Sequence, residues 1–212
     1  GIRSFAAEGL RRIAPKEMSL YLPLLVQLLR VEPLPDPSPL FVTLLQFAII
    51  DVVIRFDLFW ALSLTAASTE PYAWRYEAMK QRLFMEVTEK CGHDAGMDLA
   101  NAFSVYQAFR CLPNTKMDNP DQVKQILRPA LAPFQGRSTI CLFDPTHRVV
   151  EYHVDKIKIQ NSATRPITIP VTIECVCPPS AKCKYRVECD EEGEGRSSGG
   201  GSVGGVGVGV RG

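Results

Sequence analysis

Through roughly the first 130 residues, apolar side chains return every three to four positions; beyond that they tend to alternate, and the chain changes character. Ile2, Phe5, Ala6, Leu10 and Ile13, with Glu8, Arg11 and Arg12 on the opposite side, predict a short amphipathic helix that Ala14-Pro15 breaks. Glu17 to Val31 predicts a second, mostly apolar helix in which Pro23 kinks the axis or delays the regular part. Pro33, Pro35, Pro37 and Pro39 then force an extended connection. Leu40 to Ile54 and Asp57 to Thr65 are apolar around most of their circumference, the mark of central helices. Thr69-Glu70-Pro71 predicts the start of a helix over Tyr72 to Cys91, with Trp74, Leu83, Phe84 and Val87 inward and Gly92 as its stop. Met97, Ala100, Phe103 and Ala108 continue the pattern. Asn119-Pro120-Asp121 opens a shorter helix through Leu127, and Pro129 with Pro133 closes the helical half.

After Phe134 the runs Ser138 to Phe143, Arg148 to Val154, Lys156 to Gln160 and Pro166 to Cys177 are rich in Ile, Val and Thr, and Cys183 to Cys189 offers one more; all read as strands. The expected fold is therefore α+β: an α-solenoid-like, armadillo-like helical domain over residues 1–134, a small antiparallel β module over 135–189, and a flexible acidic and Gly-rich tail over 190–212. No clean internal repeat is present, so an irregular all-α domain stays open for the first part.

Composition adds limits more than directions. With 24 Lys+Arg against 23 Asp+Glu, the overall balance does not draw the chain to nucleic acid or to an anionic surface. The apolar runs are each shorter than the ~20 residues a spanning helix needs, so no transmembrane segment is expected. Seven cysteines and no signal peptide favour reduced thiols in the cytoplasm. The chain opens Gly1-Ile2-Arg3 without an initiator Met, inside a helical pattern, and so reads as cut from something longer.

Four late cysteines, Cys175, Cys177, Cys183 and Cys189, suffice in number for zinc, but C-x-C-x5-C-x5-C lacks knuckle pairs, and buried small hydrophobes are the expected role; no metal ligand is assigned. His93, His147 and His153 have no arranged partner in the sequence and are expected to be packed or solvated. Gly207 to Gly212 spells G-x-G-x-x-G without a preceding strand or a following helix, and is set aside as low complexity. The polar turn in "IQNSATRPITIPV", Ile159 to Val171, is different. Between two strands it offers backbone N–H groups, the Ser162 and Thr164 hydroxyls and the Arg165 charge, a workable cradle for phosphate. On chemistry alone an ordinary hairpin is the favoured reading.

Two stretches change that weighing. Ile2 to Glu32, "IRSFAAEGLRRIAPKEMSLYLPLLVQLLRVE", resembles the accessory helical (PIK) domain of the phosphatidylinositol 3- and 4-kinase family, with Tyr21, Leu22, Leu25, Val26, Gln27, Leu29, Arg30 and Glu32 on its "YLxxLVQxLRxE" pattern. Phe59-Trp60 falls where that family often has an aromatic pair. Asn161 to Pro166, "NSATRP", is similar to the family's "S-A-K-R-P" phosphate-binding loop, which begins the kinase N-lobe and closes over ATP; Arg148 to Lys158 fits the strand leading into it. Within the family the type III phosphatidylinositol 4-kinase alpha branch fits best, and a class III phosphatidylinositol 3-kinase is the close alternative.

The resemblance implies that Ser162 contacts a phosphate of ATP, with Ala163, Thr164 and Arg165 as loop neighbours. Thr164 stands where a Lys is frequent, and Arg165 supplies the charge instead. It also implies a cytoplasmic, peripheral membrane parent enzyme that uses ATP and Mg²⁺ on phosphatidylinositol at a membrane surface, with regulatory protein subunits as partners and no nucleic acid. The chain contains no G-D-D-x-R-Q-D stretch, no D-R-H-x-x-N catalytic loop and no D-F-G metal site. No catalytic residue is assigned, and the chain alone is expected to be inactive. A non-catalytic helical interaction scaffold is the other reading.

Overall fold

The computed structural model describes residues 2–32, 38–112, 119–159, 167–175 and 204–210. It is helical first and β-rich last, as the change of period predicts, and divides into two compact units, Gly1–Leu99 and Ala100–Gly212.

In the first unit α1 (Ile2–Leu10), α2 (Pro15–Leu28), α3 (Pro39–Ile50), α4 (Val52–Ala66) and α5 (Ala73–Cys91) pack so that α4 meets α2, α3 and α5, while α3 also meets α1 and α5. Pro15 enters α2 at its first turn, where its missing N–H costs nothing, and Pro23 is accommodated within the helix on an exposed position. Met18, Leu22, Phe41, Leu44, Leu58 and Leu83 are at most 2% exposed and form the centre. A single break separates α3 from α4, and it falls at Asp51 rather than at Arg55-Phe56 where periodicity placed it. The Asp51 carboxylate accepts from the N–H groups of Val53 (2.8 Å) and Ile54 (3.0 Å), satisfying two donors at the start of α4. Arg55 then donates to the carbonyls of Ala48 and Ile49 at the end of α3 and fixes the corner.

Along α5 the buried stripe is Tyr76, Met79, Leu83 and Val87, at i, i+3, i+7 and i+11. Trp74, expected inward, is 60% exposed, because it sits off this stripe in the first turn. The start of α5 is tied back to the end of α2 and the 3₁₀ turn that follows it: Arg75 donates to the carbonyls of Arg30 (2.8 Å) and Glu32 (2.5 Å), and the Tyr76 hydroxyl donates to Val26 O (3.2 Å). Gly92, at φ 96°, makes the turn into α6 (His93–Arg110), a backbone conformation that side chains disfavour. The two units divide within α6.

The second unit holds the end of α6, helix α7 (Pro120–Leu131) and a sheet of β1 (Thr139–Ile140), β2 (His147–Tyr152), β3 (Lys158–Ile159), β4 (Ile167–Cys175) and β5 (Gly204–Val210), all paired antiparallel. α7 is capped by Asn119 and runs past Pro129, which was expected to end it; the ring lies on an exposed position, and the helix closes at Leu131 in a 3₁₀ turn to Phe134. Val123, Leu127 and Leu131 form a fully buried stripe, and share one apolar core with Val149, Ile169, Val171 and Ile173 of the sheet.

β4 is the centre. Val171, Thr172 and Ile173 each pair with both β2 and β5, and Ile167 and Thr168 pair with both β3 and β5. So β2 and β3 lie end to end along one edge of β4, and β5 covers the other. Pro170 sits mid-strand, where a missing N–H usually breaks a ladder. Its carbonyl accepts from His153 N–H (2.9 Å), so its nitrogen faces the β2–β3 edge at the place where a 3₁₀ turn, Val154–Lys156, interrupts that edge. Within the stretch expected to be a flexible tail, Gly204–Val210 is paired along β4; Gly/Val alternation gives it the two-residue period of a strand. The expected strand at Cys183 to Cys189 lies outside the described residues.

Candidate functional site

β3 and β4 form a hairpin whose last pair is Ile159 opposite Ile167, preceded by Lys158 opposite Thr168. Both isoleucines pack against the core of the second unit, and Ile157 and Ile169 are buried in it. Apolar anchoring therefore fixes both legs of the hairpin in the core of the second unit. Ser162, Ala163, Thr164 and Arg165 lie outside the described residues.

One face of β4 is sealed by the core through Ile169, Val171 and Ile173. The other carries Thr168, Pro170 and Thr172, all half-buried. On that face His153 Nε2 shares a hydrogen bond with Thr172 Oγ1 at 2.8 Å, and its Nδ1 lies 3.4 Å from a Glu151 carboxylate oxygen. Beside it, Asp155 of the 3₁₀ turn pairs with Arg128 of α7. The polar face and the hairpin mouth thus belong to the same strand.

The histidines are unalike. His147 opens β2, is 2% exposed and contacts Thr146 Oγ1 (3.0 Å) and Asp144 (3.4 Å), closing the turn after β1; His93 is exposed at the start of α6. Burial pushes the Asp144 carboxyl up, but bonds from the Thr146 hydroxyl and N–H and the neighbouring His147 outweigh it and hold it below the ordinary range. This is a turn lock, since every partner sits within three residues. The Tyr152 hydroxyl, hydrogen-bonded to Thr139 Oγ1 (3.1 Å), is pushed up to about 12 chiefly by burial and stays neutral.

An apolar cavity lined by Phe109, Cys141, Leu142, Phe143, Val149 and Tyr152 among others lies in the same unit. It lacks the donors a phosphate needs. Among the described residues no group of three or more His, Cys, Asp or Glu is placed to hold a metal ion. Of the four late cysteines, Cys175 ends β4 and the other three lie outside the described residues. The G-x-G-x-x-G string begins within β5, in a strand and not at the start of a helix. Among the described residues no helix is long and apolar enough to cross a membrane.

The role of Asp51 and the His153–Thr172 pair were both missed by pattern reading. An Asp two positions before a helical N–H was a usable signal; a contact across 19 residues had none.

No curated protein matches the chain. Residues 1–96, the first unit almost to its end, match the family model of the phosphoinositide 3-kinase family accessory domain (PIK domain).

Proposed function

We propose that the chain is part of a phosphatidylinositol kinase, of the type III 4-kinase kind, supplying the accessory helical scaffold and the phosphate-binding hairpin with which the catalytic domain begins. The observation that carries this reading is the order of parts: a match to the PIK domain over residues 1–96, followed in the same chain by a two-stranded hairpin whose connection is "QNSATRP". The parent moves the γ-phosphate of ATP to a hydroxyl of the inositol ring, with Mg²⁺, at a membrane surface.

In that reaction ATP supplies the phosphoryl group, and residues of this chain hold and screen it. The Ser162 hydroxyl and the backbone N–H groups of the loop donate to phosphate oxygens, and Arg165 offsets charge. The polar face of β4 carries Thr168 and Thr172, with His153 bonded to Thr172. The sequence contains none of the family's catalytic-loop and magnesium-binding motifs, so on this reading phosphoryl transfer depends on the catalytic part of the parent.

The test is an extended chain that includes the catalytic motifs, assayed for phosphatidylinositol phosphorylation with product mapping. Ser162→Ala should raise the KM for ATP several-fold. Unchanged ATP kinetics would remove the loop from the reading, and a 3-phosphorylated product would move the chain to the 3-kinase branch.

A further inference from the structure

α2 carries apolar side chains on two faces, and the fold covers one of them. Met18, Leu22, Leu25 and Val26 are buried, with α4 as the helix packed on α2. Leu20, Tyr21, Leu24 and Leu28 are 79%, 52%, 59% and 44% exposed, and they share about 100° of the helix circumference. Val31, also exposed, continues the stripe into the 3₁₀ turn. Half of the exposed large apolar side chains among the described residues fall within residues 1–31. Single exposed apolar residues are ordinary on a surface, whereas a contiguous stripe marks a place of contact.

The charges around this stripe are mostly of one sign. Residues 1–31 carry Arg3, Arg11, Arg12, Lys16 and Arg30 against Glu8 and Glu17, a net charge of +3, where the whole chain has +1. Glu8 is paired with Arg11. Arg12 and Lys16 are exposed at the N-terminal end of the stripe, and Glu17, the one carboxylate of α2, lies beside Lys16 in the first turn. Arg30 is exposed at the other end, with its guanidinium 5.7 Å over the Tyr72 ring. The bond from Arg75 to the Arg30 carbonyl holds the start of α5 at that end, where Tyr72 and Trp74 are both exposed. Such rings suit the boundary between water and acyl chains.

We propose that the outward face of α2 is a docking surface for an anionic lipid bilayer. The helix lies in the plane of the interface, with Leu20, Leu24 and Leu28 at the edge of the acyl chains and Arg12, Lys16 and Arg30 among the headgroups. Burial of the leucines supplies affinity, and the cations supply the preference for negatively charged lipid. A second copy of the chain is the poorer occupant. The stripe of one 14-residue helix offers on the order of a few hundred Å², short of the roughly 800 Å² per partner of a standard interface, and self-pairing brings two cationic surfaces together. Docking of this kind uses neither ATP nor the hairpin loop, so it succeeds or fails separately from phosphoryl transfer.

The probe is flotation of the full chain with phosphatidylcholine vesicles, with and without phosphatidylserine, over a range of lipid concentration. Vesicles that contain phosphatidylserine should bind at least about tenfold more tightly, and added salt should shrink the difference. Leu20→Ser combined with Leu24→Ser should weaken binding to them by about tenfold or more, whereas Met85→Ser, at a similarly exposed position of α5, should not. Arg12→Glu combined with Lys16→Glu should abolish the preference for phosphatidylserine. Every substituted position is exposed, and an unchanged thermal transition by circular dichroism checks the fold of each variant. Equal binding to the two kinds of vesicle, or binding that survives loss of both leucines, would overturn the assignment. Binding to neither would overturn it too, and binding of an acidic, leucine-rich helical peptide would then name a protein as the occupant. A lipid-free dimer that Leu24→Ser dissociates would also overturn it, since a second copy would then cover the face.

Discussion

Asp51→Ala tests the corner between α3 and α4. The carboxylate accepts two backbone hydrogen bonds, at 2.8 and 3.0 Å, from donors that the helix itself leaves unpaired. Replacing such a cap by alanine costs about 1 kcal/mol, within a range of roughly 0.5–2. One effect runs the other way. The Asp57 carboxyl is pushed above its ordinary value by burial and, to a smaller extent, by the charge of Asp51, while Ser19 holds it down; removing Asp51 relieves part of that repulsion. Asp51 is the smallest of the three influences on Asp57, so the cap wins and the net loss stays about 1 kcal/mol. For a unit of about 100 residues that lowers the melting temperature by roughly 4–8 °C. Circular dichroism with thermal and urea unfolding measures it, and Asp51→Asn is the control because its amide oxygen accepts the same bonds. If the alanine and asparagine proteins melt together, Asp51 is not what separates the two helices.

Three further outcomes follow from the same geometry. Leu127→Ala, at a fully buried position, should cost about 2–5 kcal/mol in urea unfolding, while Leu20→Ala, at 79% exposure, should change it by less than about 0.5 kcal/mol. Arg75→Lys keeps the charge but cannot reach the carbonyls of both Arg30 and Glu32, and should lose about 1–2 kcal/mol; equal stability would show that the clasp is incidental. Asp144 is depressed in the folded state, so its contribution is present above its ordinary value near 3.8 and is lost as pH falls through the lower folded value. Asp144→Asn should therefore flatten the acid limb of stability against pH, and an unaltered limb would refute the assignment.

The change from helix to strand was readable because it is a change of period. Tyr76, Met79, Leu83 and Val87 follow one helical stripe, and Ile169, Val171 and Ile173 one face of a strand. What misled was local. The apolar run through α3 and α4 hides a corner because both helices are buried on most sides, so only the capping chemistry of Asp51 marks it. Trp74 was assigned inward with Leu83 and Val87, although it is out of phase with the stripe. Pro129 read as a stop and Pro23 as a kink or a delayed start, yet each sits on an exposed position within its helix. The hairpin legs were legible for the same reason as the sheet, and the His153–Thr172 pair was not, because it exists only once β2 and β4 are in register.

Pro170 has a consequence for how that register is kept. Sliding β4 by one residue against β2 would turn the proline nitrogen to the unbroken edge and, in the same step, move Ile169, Val171 and Ile173 out of the core. Two unrelated penalties, one polar and one apolar, fall on the same error. A single residue type that looks like a flaw in the strand thereby acts as an error check on strand alignment, and it aligns the mouth of the hairpin with it.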